Sequence, residues 1–299
     1  MATPGGTPSR RVRSCLPALA CLLLTACSGG TATAPRSTPS AAAPTAAAPA
    51  PAAAAPTAAV PRSTPTPLQL WLRATPLEIA HRGGDADWPE GTAEAYRQAA
   101  ARNPGLALEV PVWRTADGVW VVSEDRTTGR VFGADHAIPE TTWATLSRLR
   151  TRQGHQPMAR LVEDVLDVYG ADRVLFVDDK SDADAAAFLD LLDSFAGRSR
   201  YVVKCYWRST AVAAEARTRG YLTWGYYDDA GPAGLAGTQA RFDLLGLPWS
   251  APAADWAAAR ATGKPVIAHV VATAQQAGVA RGRGAAGFMV SGVEEVVPP

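Results

Sequence analysis

Residues 174–224 read VLFVDDKSDADAAAFLDLLDSFAGRSRYVVKCYWRSTAVAAEARTRGYLTW. Val174–Val177 is a short apolar run whose length suits a strand. Asp182–Phe195 then repeats apolar residues at helical spacing, and Ser181 with Asp184 reads as a capping-box start. Tyr201–Lys204 returns to a strand, Thr210–Arg219 to a helix and Tyr221–Trp224 to a strand. Two β-α-β units in succession predict parallel strands joined by crossover helices. Outward from this stretch the pattern continues. Strands are expected at Leu77–Ala80, Leu106–Val112, Val119–Ser123, Phe242–Leu245, Pro265–Val270 and Gly287–Val290. Helices are expected at Thr92–Ala101, Leu161–Tyr169, Ala253–Ala261 and Ala274–Arg281. Asp117-Gly118 marks a tight turn that interrupts the alternation once. The fold class is α/β, and a (β/α)8 TIM-type barrel is the leading architecture. A doubly wound sheet is the alternative, but no glycine-rich phosphate loop follows any strand.

The rest of the chain frames this domain. All nine tryptophans lie at or beyond Trp71, so residues 71–299 are expected to hold the single core. Residues 31–66 contain 15 Ala, 8 Pro, 7 Thr and 3 Ser, a composition that predicts an extended, disordered tether across 27–70. Before it, Arg10, Arg11 and Arg13 precede the apolar run Cys15–Ala26, as in a secretory signal covering residues 1–26. Leu24-Thr25-Ala26-Cys27 resembles a bacterial lipobox, which implies a lipid on Cys27 and a partner in the membrane, at its extracytoplasmic face. Cleavage before Cys27 removes Cys15 and Cys21 and leaves Cys27 and Cys205 without an internal disulfide. Lys+Arg 29 against Asp+Glu 28 gives a formal charge of +1, which argues against nucleic acid as a partner.

Polar residues collect where the expected strands end. His81 and Arg82 follow Leu77–Ala80, Glu109 interrupts Leu106–Val112, Glu124 and Asp125 close Val119–Ser123, and Asp178, Asp179 and Lys180 close Val174–Val177. In a barrel these positions form one rim. Acids there can hold a hard divalent cation, cations grip phosphate and a histidine moves protons. That combination suits a small phosphodiester substrate.

Ala80-His81-Arg82-Gly83-Gly84 with Trp88-Pro89-Glu90-Gly91-Thr92, Ala107-Leu108-Glu109-Val110, Arg160–Leu166, Val177-Asp178-Asp179-Lys180 and Gly287–Ser291 together resemble the glycerophosphodiester phosphodiesterase family. The resemblance implies the barrel fold and cation-assisted hydrolysis of glycerophosphodiesters. It makes His81 a catalytic residue, Arg82, Lys180 and Glu90 substrate-binding residues, and Glu109 and Asp178 ligands of a divalent metal, Ca²⁺ or Mg²⁺. Two positions depart from the family pattern. Pro111 stands where a second metal-binding acid falls, so the metal site is expected to be one carboxylate short and weak. Glu124 stands where a second catalytic histidine falls, so Glu124 is expected as the general acid, with its pKa raised. His269, in the penultimate strand, can supply that proton instead if its ring points inward. The alternative function is a catalytically impaired barrel that binds phosphate esters at the cell surface. Tyr206, Trp207, Trp224, Tyr226 and Tyr227 are expected around the substrate mouth, with about half of them in packing, and Cys205 as a buried small hydrophobe.

Overall fold

The computed structural model describes residues 64–229 and 231–299. The expected signal segment, Cys27 and the expected tether up to residue 63 lie outside the described residues. Nine strands form the sheet: β1 (Leu77–Ala80), β2 (Ala107–Arg114), β3 (Trp120–Val122), β4 (Leu175–Asp179), β5 (Tyr201–Tyr206), β6 (Leu222–Tyr226), β7 (Leu244–Pro248), β8 (Val266–Val271) and β9 (Gly287–Val290). Eight of them are parallel, and β1 pairs with both β9 and β2, which closes the ring. The ninth, β3, runs antiparallel on β2 through Val112–Val122 and Arg114–Trp120. This is a TIM barrel, as the alternation predicts, with the Asp117-Gly118 hairpin added at one position.

Side chains alternate in and out along each strand. Leu77, Ile79, Ala107, Phe176, Val202, Trp224, Leu244, Ile267 and Met289 fill the interior. The intervening residues, such as Leu108, Val110, Val177, Val203 and Leu245, pack outward under the helices. Within each strand, the residue two positions beyond an interior side chain faces the same way. Ala107 therefore leads to Glu109, Phe176 to Asp178, Val202 to Lys204 and Ile267 to His269. The period-two pattern turns from apolar to charged at the C-terminal ends of the strands, and that change creates the site.

Three expectations change. Pro67–Trp71 is helical, with a capping box between Thr66 and Gln69, so the folded chain reaches back into the stretch read as tether. Leu68 and Trp71 are buried with the strand-start residues and plug the N-terminal mouth of the barrel. The Ser181–Asp184 capping box is not formed. Asp184 itself is the N-cap of Ala185–Ser194, while the Ser181 hydroxyl donates to Asp179 at 2.8 Å. An unexpected helix, Gly231–Thr238, follows β6.

Candidate active site

His81 and Arg82 leave β1 in a tight turn, and Arg82 has φ +50°. A non-glycine residue in the left-handed region costs about 1 kcal/mol or more. The turn is held because the Arg82 N–H donates to Glu109 Oε2 at 2.7 Å. This points the guanidinium across the rim, where it donates to Glu90 Oε2 at 2.8 Å and lies 3.4 Å from Glu124 Oε1. Glu90 also pairs with Arg130, which in turn meets Asp125 at 2.5 Å. His81 Nδ1 lies 2.9 Å from Asp85 Oδ1. Burial opposes ionisation of Asp85, yet the His81 hydrogen bond and charge leave its pKa below the usual carboxylate range.

Glu109, fully buried, Asp178 and Glu124 bring carboxylate oxygens within 4.8 Å of one another. Such a cluster is able to hold a metal ion, and Glu124 belongs to it as well as the expected pair. The positive charge it encloses here comes from the chain. Lys204 Nζ donates to Glu109 Oε1 and to Asp178 Oδ2, both at 2.8 Å. Lys180 Nζ donates to Glu124 Oε1 at 2.9 Å and to Asp178 Oδ2 at 3.2 Å. Burial works against both ammonium groups, but the surrounding carboxylates hold their pKa values above the ordinary lysine range. A divalent cation shared by Glu109 and Asp178 would have to displace Lys204, and Pro111 offers no side-chain oxygen in compensation. As these side chains stand, the cluster does not accommodate such a cation.

Glu124 does not serve as the general acid expected of it. Its burial would raise the pKa, but Lys180, Lys204 and Arg82 depress it well below the usual range. It is a fixed carboxylate with no proton to give near neutral pH. His269 does point inward. It lines one cleft with His81, Arg82, Glu124, Lys204 and Tyr226, edge-on to Trp224 and Tyr226. Its Nδ1 lies 3.5 Å from Asp228, and its buried Nε2 has no hydrogen-bond partner among the described residues. Burial, and then the Lys204 charge, pull its pKa down to about 3, so it is a neutral imidazole that can accept a proton but not the donor envisaged from sequence.

Of the expected aromatics, Tyr226 lines the cleft and donor Lys180 reaches its hydroxyl at 3.2 Å. Trp224 fills the interior below, Tyr227 is buried, and Tyr206 and Trp207 share Asp229 at the rim. Cys205 is buried, as expected of a small hydrophobe. Lys204 and Asp85 escaped sequence reading. For Lys204 the available signal was a lone charge two residues after Val202 in an otherwise apolar strand; for Asp85 it was an acid four residues after His81.

Comparison with known proteins places this site in context. Residues 81–183 match the model of the glycerophosphoryl diester phosphodiesterase family, a stretch that carries His81, Arg82, Glu90, Glu109, Glu124, Asp178 and Lys180. Mouse glycerophosphodiester phosphodiesterase 1 is 32% identical over 117 residues, covering 36% of this chain and 35% of the mouse protein. The human protein is 35% identical over 78 residues, 26% of this chain and 23% of its own length. The chain thus aligns with about a third or less of these relatives. Among solved structures, a phosphodiesterase from Oleispira antarctica in complex with its product sn-glycerol-3-phosphate superposes with a TM-score of 0.66 at 18% identity, covering 74% of this chain and 95% of the other. A putative glycerophosphoryl diester phosphodiesterase from Silicibacter pomeroyi gives 0.63 at 19% identity, covering 76% and 94%. These two likenesses speak to the barrel fold, while the sequence matches speak to descent. Over residues 81–183, the part that carries most of the rim residues, the chain is thus similar to the glycerophosphoryl diester phosphodiesterase family.

Proposed function

We propose that the protein hydrolyses glycerophosphodiesters, releasing glycerol 3-phosphate and an alcohol, from a lipid-anchored position on the extracytoplasmic face of the membrane. The observation that carries the reading is convergence. Three cationic side chains, Arg82, Lys180 and Lys204, and two imidazoles, His81 and His269, meet in one small, largely buried group at the C-terminal rim. The cations attract a phosphodiester and offset the charge that builds on its oxygens during attack. Neutral His269 takes a proton at Nε2 from the attacking water, whose oxygen forms the new bond to phosphorus as the bond to the leaving alcohol breaks. His81, whose ring is oriented by the Asp85 carboxylate at Nδ1, hands a proton to the departing alkoxide. Glu109 and Asp178 orient the ammonium groups, and Glu90 holds Arg82 toward the cleft. The family supports this substrate class, and the basic-apolar leader ending at Cys27 supports the anchored location.

The test is turnover by the full-length protein in detergent, supplied with glycerophosphocholine and glycerophosphoethanolamine. Release of glycerol 3-phosphate should be lost about 10²- to 10⁴-fold in His81→Ala. If the folded wild-type protein binds these esters without releasing product above the His81→Ala background, the surface binding module is the correct reading.

A further inference from the structure

Three carboxylates gathered on the rim of a phosphate-binding barrel are the usual preparation for a divalent cation, and here a side chain lies among them. Lys204 comes from the interior face of β5, its side chain 6% exposed. Its Nζ is equidistant from Glu109 and Asp178 and 4.4 Å from the centre of the Tyr226 ring. Two of its three N–H groups are thereby engaged, and the third is left for the cleft that Lys204 lines. The charge balance agrees. Glu109, Asp178 and Glu124 carry three negative charges, and Lys204, Lys180 and Arg82 answer them with three positive ones at hydrogen-bond or ion-pair distance.

Donor chemistry agrees as well. Ca²⁺ takes six to eight oxygens and Mg²⁺ about six. Both Glu109 oxygens, Asp178 Oδ2 and Glu124 Oε1 already accept from Lys204, Lys180 and the Arg82 N–H, which leaves buried Glu124 Oε2 without a partner among the described residues, and Pro111 offers no further side-chain oxygen. Pro111, two residues after Glu109 on β2, adds no side-chain oxygen, while Lys204 brings a positive charge to the carboxylates that are there.

We propose that the Lys204 ammonium is the resident cation of this site, standing between Glu109 and Asp178 in place of a divalent metal, and that the phosphodiester chemistry runs without one. The proposal rests on the hydrolytic reading for its second half. Its first half, the occupancy of the cluster, is independent of turnover. An ammonium on the chain cannot be stripped by chelators, is present at full occupancy at any external cation concentration, and offers one directed N–H where a metal would offer exchangeable coordination positions.

The experiment is a Mn²⁺ titration of the full-length protein in detergent, read by electron paramagnetic resonance and by thermal shift with Ca²⁺ or Mg²⁺. The wild type should take up no Mn²⁺ at the cluster, show no cation-dependent melting shift, and keep its full rate after dialysis against EDTA. Lys204→Met, and separately Lys204→Ala, should take up one Mn²⁺ per chain with a Kd of about 0.1–1 mM, the range of weakly held cation sites. Their melting temperature should rise with added Ca²⁺. Stoichiometric uptake by the wild type that Glu109→Gln abolishes would overturn the proposal, and this arm needs no Lys204 variant to fold. Folded Lys204 variants that take up no cation would overturn it too. Turnover that requires added Ca²⁺ or Mg²⁺ would refute the lysine's role and leave the hydrolase standing. A wild type without turnover or cation uptake, beside variants that bind Mn²⁺, would refute the hydrolase and leave the lysine in place.

Discussion

Arg82 shows how much one position can be asked to do. Its strained backbone turns the chain so that the N–H reaches Glu109 while the side chain reaches Glu90 and Glu124. Glycine would relieve the strain but lose the grip on phosphate, so Arg82→Gly should fold and lose substrate affinity, raising KM. His269 makes a sharper demand. Its imidazole is neutral in the fold, so His269→Gln should lower kcat about 10²-fold or more with KM little changed. The same depressed pKa couples to stability. The unfolded histidine protonates near its ordinary value of 6.5 and the folded one only near 3. The stabilisation from keeping it neutral is therefore present above pH 6.5 and is lost as the pH falls toward 3. Between pH 6.5 and 5 the melting temperature of the wild type should fall more steeply than that of His269→Gln, and parallel curves would contradict the assignment. Residue roles were only partly legible beforehand. Glu124 was visible as a rim acid, but three cations that only the fold brings to it decide that it stays ionised. The inward turn of His269 follows from its parity with Ile267, which sequence leaves undecided until one strand's inner face is known.

At the level of elements, the alternation of periods announced the barrel because each crossover helix and each strand carries its own apolar repeat. The misjudged boundaries have one cause. β4 runs through Asp178 and Asp179, and β5 through Lys204 to Tyr206, because ladder hydrogen bonds continue after the side chains become polar. Reading apolar runs therefore stops short where the chemistry begins. Gly231–Thr238 went unseen because its glycines and proline carry little helical propensity. The short helix Pro67–Trp71 went unseen because it adjoins the Ala/Pro tract. Its contribution is measurable. Trp71 packs edge-on against Phe176 with ring centres 5.3 Å apart, and Leu68 lies beside it in the interior cluster. Trp71→Ala should cost about 3–5 kcal/mol in urea unfolding without changing kcat below the transition. A variant as stable as the wild type would mean that the plug is ornamental.

At the scale of the whole molecule, a formal charge of +1 gives little attraction to an anionic bilayer, so the proposed attachment rests on the N-terminal segment. Cys27→Ala should shift the protein from the membrane fraction to the medium, or leave an unprocessed precursor. Membrane association that persists with normal processing would dismiss the lipid anchor. The domain itself has a built-in polarity. The chain enters it at residues that seal the strand-start end of the barrel, while the cleft opens at the other end, among the segments that follow the strands. A protein held by its first folded residues therefore presents an unobstructed mouth. Coupled to a resin through that end, it should process soluble esters as fast as it does in free solution. Coupled through the loops beyond β4, β5 or β6, it should lose access to them. The barrel is in effect a cup with its handle on the base.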